Sequence, residues 1–141
     1  MLAMIALLWT LPGSRPDGRL PRYNPERKKT FSTSDWLHVC GLVSVAFRER
    51  GLVEIVRWID DVARRTSPRK SDQDGLDACV CLLVALYLAE LKTCLMVGDL
   101  RTGYIVVPHD TGLRAELDAR CNRIGRAPSE WVRVFRLTST L

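Results

Sequence analysis

The chain has 141 residues, 47% of them hydrophobic and 26% charged, which suits one folded domain with a true core and indicates neither disorder nor a fibre. Its formal charge of +5 and sequence pI near 9.2 point to an anionic partner, with nucleic acid as the class to test. Five cysteines, Cys40, Cys79, Cys81, Cys94 and Cys121, include no CxxC pair and no Cys/His cluster at zinc spacing, so they read as small buried hydrophobes of a reducing, cytoplasmic compartment.

The opening MLAMIALLW is too short to span a membrane and has no basic residue ahead of it. It reads as an inner strand or short helix, with a cleaved signal sequence as the alternative, and no membrane partner is expected. Residues 12–30 are rich in Pro, Gly and Arg and show no periodicity, so they form a long basic loop. Arg15, Arg19, Arg22, Arg27, Lys28 and Lys29 outnumber Asp17 and Glu26 there, and Tyr23 lies among them. A phosphate-contacting arm, centred on Arg22, Arg27, Lys28 and Lys29, is the functional reading, and a merely solvated connection is the other.

Ser32 and Asp35 then form a capping box before an amphipathic helix that carries Trp36, Val39, Cys40, Val43 and Phe47 and stops at Gly51. A second helix places Leu52, Ile55, Val56, Ile59 and Val62 on one face, and the short link predicts an αα pair, with Trp36 and Trp58 in the core. Pro68 breaks the chain, and a third helix follows with Leu76, Val80, Leu83, Val84 and Tyr87. Its apolar run is wide enough to predict burial on most of its circumference, against a sheet. TCLMVGD and GYIVVP form a hairpin. Leu113, Leu117 and Cys121 mark a short helix capped by Thr111 and stopped by Gly125, and WVRVFRL is a last edge strand.

The stretch SDQDGLDACV holds the chemistry-bearing residues. Acids in a first helical turn meet unpaired N–H groups and the positive end of the dipole, and Ser71 with Asp74 has capping-box spacing. Asp77 does not fit this role. It lies one turn beyond Asp74 on the same face, and two carboxylates so placed repel unless a cation lies between them. Mg2+ or Mn2+ on Asp74 and Asp77, or arginine from the basic loop, would supply that charge.

RLPRYNPERKKTF, SPRKSDQDGLDACVCLLVALYLAE and CLMVGDLRTGYIVVP resemble the carboxy-terminal part of a predicted-nuclease family, domain of unknown function 429, over about Leu11 to Cys121. The resemblance implies a ribonuclease H-like fold. In such a fold carboxylates on two strands and on a late helix hold two metal ions that cleave a phosphodiester. Asp74 and Asp77 would be the helix ligands and catalytic carboxylates, with Lys28 and Lys29 in a basic segment that meets phosphate. Members begin with an acid-bearing, glycine-rich strand, whereas MLAMIALLWT has no acid. The expectation is therefore an α/β or α+β chain, residues 1–141 as a single shortened ribonuclease H-like domain with helices, a β-hairpin and an incomplete sheet. It would have little or no nuclease activity alone, and self-association or a partner would cover its apolar face. The alternatives are a non-catalytic nucleic-acid-binding or assembly module that uses the basic loop, and a reading-frame fragment without function.

Overall fold

The computed structural model describes residues 21–138. Arg15, Arg19, the opening apolar segment and the first part of the basic loop lie outside the described residues. Among those described, the chain is mixed α+β, with five helices and a three-stranded antiparallel sheet. It divides into two compact units, one ending at Leu83 and the other running on from Val84.

The first unit is helical. Helix α1 (Thr33–Arg48) starts where Ser32 Oγ accepts from the Asp35 amide at 3.2 Å. Only half of the expected capping box forms, because the Asp35 carboxylate accepts instead from the Arg22 amide at 2.7 Å. Helix α2 (Val53–Ala63) follows a tight link in which Gly51 adopts φ +69. Trp36, Val39, Val43 and Phe47 from α1 and Ile59 and Val62 from α2 are fully buried. At about 1.5–3 kcal/mol for each large side chain removed from water, this is the main stabilising term of the unit. Ser44 Oγ donates to Asp60 Oδ1 at 2.9 Å and so pins α1 to α2.

Helix α3 (Lys70–Ala89) buries Asp72, Gln73, Leu76, Val80 and Leu83. Leu82 is exposed and Val84, Leu86 and Tyr87 are half-buried, so the buried surface is a one-sided stripe and not the wide band expected from the apolar run. Gly75 is the point of close approach to α2: a Cβ there would lie 2.6 Å from Cη2 of Trp58. Trp58, expected in the core, is 36% exposed and uses its ring edge for this contact.

The second unit is built on strands β1 (Cys94–Asp99), β2 (Gly103–Pro108) and β3 (Val132–Phe135) in the order β2-β1-β3, all antiparallel. The hairpin and the edge strand stand where the β-rich runs placed them. Gly98 has φ +122, and a Cβ there would meet the Gly103 carbonyl at 2.4 Å, so only glycine lets the hairpin close. Helix α4 (Thr111–Arg123) lays Leu113 and Leu117 on Leu95, Val107 and Val132, with Cys121 and Trp131 packed against that cluster. Its cap is Asp110, which accepts from the Leu113 amide at 3.0 Å, and not Thr111. A short helix α5 (Pro128–Trp131) leads into β3. No described helix is long and apolar enough to cross a membrane.

Two helical glycines separate propensity from packing. Gly41 in α1 has open space at its Cβ position, so Gly41→Ala is expected to stabilise by about 0.5–1 kcal/mol through helix propensity alone. Gly75→Ala is expected to destabilise by about 1–2 kcal/mol because the indole of Trp58 must move. Urea unfolding of both variants, and of Gly75→Ala with Trp58→Ala, checks this: the second change should remove the steric part of the penalty.

Candidate functional site

The site is assembled from the N-terminal turns of α3 and the loop ahead of α1. The three aspartates of α3 have three different fates. Asp72 is 5% exposed; its Oδ2 accepts from the Arg69 amide at 2.7 Å and its Oδ1 takes a short ion pair from Arg65. This is the reciprocal half of a capping box, with Arg69 preceding the first helical residue, so the capping acid is Asp72 and not Asp74. Asp74 is exposed and pairs with Lys70 one turn back. That hydrogen bond, with the charges of Asp74, Glu26 and Asp77, holds the Lys70 ammonium above its ordinary range.

Asp77 faces the other way. Its Oδ1 accepts from the Tyr23 hydroxyl at 2.9 Å and its Oδ2 from the Gln73 side-chain amide at 3.2 Å. Tyr23 is 8% exposed. Burial first, then the Asp77 charge and hydrogen bond, push its hydroxyl pKa well above the usual tyrosine range. Gln73 Oε1 is buried without a hydrogen-bond partner, which leaves one acceptor of this cluster unsatisfied. Asp74 and Asp77 thus carry different partners, and the described residues contain no group of three His, Cys, Asp or Glu side chains placed to share a metal ion.

Tyr23 belongs to a loop that is closed on itself. The Ser32 amide donates to the Arg22 carbonyl at 2.8 Å, so the two ends meet, and the Arg22 amide is held by Asp35. Inside, Asn24 Oδ1 accepts from the Glu26 amide at 3.0 Å and the Asn24 carbonyl from the Arg27 amide at 3.1 Å. The Arg27 carbonyl then accepts from the Thr30 and Phe31 amides, both at 2.8 Å. An Asx turn followed by a helical turn is what an Asn-Pro-x-x stretch favours. The outcome is an ordered loop of the Ω kind. Arg22, Arg27, Lys28 and Lys29 are exposed on it, and none of the four forms an ion pair with a described acid. Glu26 to Thr30 line a shallow concavity.

The sequence placed both halves of this arrangement, the cationic loop and the aspartate-bearing helix. It missed Tyr23 as the link between them and Gln73 as a second clamp on Asp77. Gln73, four residues before Asp77, has the spacing of a helical Gln–Asp hydrogen bond, and that signal was there to be read. The chain matches no family model, no curated protein and no solved structure in these comparisons.

The three aspartates should separate by variant. Asp72→Ala opens a buried cap and removes the partner of the half-exposed Arg65, and is expected to cost about 1–2 kcal/mol, whereas Asp74→Ala leaves the unfolding midpoint unchanged within error. Chemical denaturation of both variants checks the order. Alkaline pH gives a second test. The native state holds the Tyr23 proton more tightly than the unfolded chain, whose tyrosines titrate near 10.0, so this contribution is intact below pH 10 and is lost as pH rises above it. Buried Cys40, pushed up to about 12 from 9.0, adds a loss of the same sign that begins near pH 9. Tyr23→Phe is therefore expected to lower stability at pH 7 by about 1–2 kcal/mol and to flatten the decline above pH 10, leaving the part that starts near pH 9.

Proposed function

We propose that this chain is a non-catalytic nucleic-acid-binding module whose contact surface is the Arg22–Ser32 loop. One observation carries the reading: the loop is folded and anchored at both ends, while the cations it displays have no acidic partner among the described residues. A cation held without a partner on an ordered loop loses little conformational freedom when it meets a phosphate. Arginine forks give bidentate phosphate contacts and lysines add point charge, and neither recognises a particular sequence. Binding on these terms is governed by counterion release and is indifferent to base order.

In this reading Asp77 is the anchor that orders the loop. Two-metal phosphodiester cleavage by Asp74 and Asp77 would need Asp77 to exchange Tyr23 and Gln73 for a cation, and Asp74 to exchange Lys70. The bonds already made favour the binding module.

Fluorescence anisotropy with a short labelled single-stranded oligonucleotide, in EDTA and over a salt series, tests this. Four phosphate contacts give a log–log slope of about −3. The triple variant Arg27→Ala, Lys28→Ala, Lys29→Ala is expected to lose about two units of that slope and to bind at least about tenfold more weakly at low salt. Asp74→Asn should bind as the wild type does. A slope untouched by the triple variant would overturn the assignment.

A further inference from the structure

The second unit carries a concavity that the loop reading does not use. It lies where the β1–β2 turn faces α5 and β3, has a volume of about 740 Å³, and is lined by Leu100, Arg101, Thr102, Trp131 and Arg133 with Asp99 and Glu130. Beside it, on the lining residue Trp131, stands an aromatic–cation stack: the Arg126 guanidinium carbon lies 3.7 Å from the Trp131 ring centroid. At that distance the planar cation rests on the ring, and Arg126 is exposed. Trp131 is held by packing against the Leu95, Val107 and Leu113 cluster, so the platform is fixed from below.

The charge of the concavity is less mixed than its residue types suggest. Asp99 spends its carboxylate on its own turn: Oδ1 accepts from the Arg101 amide at 2.7 Å and the Thr102 amide at 2.8 Å, and Oδ2 from the Thr102 hydroxyl. Those bonds, with Arg126 adding, keep its carboxyl below the usual range. Glu130 is the other acid of the lining, against Arg101 and Arg133, which have no ion-pair partner among the described residues, and Arg126 stands beside them on Trp131. Leu100, 71% exposed, puts an aliphatic side chain at the mouth. A flat stacking surface, forked donors that suit phosphate and an apolar lip select an aromatic ring carrying phosphate.

We propose that the concavity between the β1–β2 turn and α5 is a nucleotide-binding site, in which a base stacks on the Arg126–Trp131 platform and its phosphate is taken by Arg101 and Arg133. The inference does not rest on the Arg22–Ser32 loop.

The indole N–H resonance of Trp131, assigned with Trp131→Phe, reports on this site in the full chain. Thymidine monophosphate and a thymidine tetranucleotide are each expected to shift it saturably. Arg101→Ala with Arg133→Ala, both exposed positions, should weaken the response at least fivefold without unfolding the chain, and Arg57→Ala with Arg64→Ala, the same loss of charge at exposed positions on and just after α2, should leave it in place. Equal affinity for monomer and tetramer would make a free nucleotide the ligand; tighter binding of the tetramer would make it a residue of a strand. The proposal is overturned if neither probe moves the resonance, if inorganic phosphate or a glutamate tetrapeptide moves it with equal affinity, or if the double arginine variant responds as the wild type does.

Discussion

A carboxylate at the edge of the buried stripe of an apolar helix, half-buried as Asp77 is, must find donors or a cation to replace the water it loses. Asp77 meets that demand with the hydroxyl of Tyr23 and the amide of Gln73. The consequence reaches far along the chain. Tyr23 is 54 residues away, so one hydrogen bond fixes the segment before α1 against the helix that follows α2. Asp35 does the same from the other side by holding the Arg22 amide. Between these two anchors the loop has few alternatives, and its cations are displayed from a defined backbone.

The same logic distinguishes the three neighbouring aspartates. Asp72 is buried, and Arg65 together with a free amide at the helix start satisfies it. Asp74 is wet and its pairing with Lys70 is one of many exposed helical ion pairs in this chain, like Glu54 with Arg57 and Asp61 with Arg64. Pairs of that kind contribute little, because water already solvates both ends. Asp77 alone connects distant segments.

What the sequence disclosed follows the range of the interactions involved. The Ser32 start of α1, the Gly51 turn that follows its end at Arg48, the hairpin of β1 and β2 and the final edge strand are set by neighbours within a few residues, and each is legible. Errors of one or two positions arose where two caps competed. Asp110 and Thr111 both suit a helix start, and Arg69–Asp72 has the same spacing as Ser71–Asp74; the burial of Asp72 beside Arg65 decided the second case. The buried face of α3 is narrower than its apolar run, since an apolar run states what could be buried and not what finds a neighbour. The Tyr23–Asp77 bond had no local signature at all. Repulsion between Asp74 and Asp77 suggested a cation between them, but a tyrosine hydroxyl and a glutamine amide relieve Asp77 without one.

The central claim is that Asp77 orders the basic loop through Tyr23. Amide hydrogen exchange at Thr30, Phe31 and Ser32, whose N–H groups close the loop, measures that order directly. In Tyr23→Phe these amides should exchange at least about tenfold faster, in line with a lost hydrogen bond to a carboxylate worth 1.4 kcal/mol or more, while the core amides of α1 keep their protection. Unchanged protection of the three loop amides would contradict the account and leave Asp77 without its proposed role.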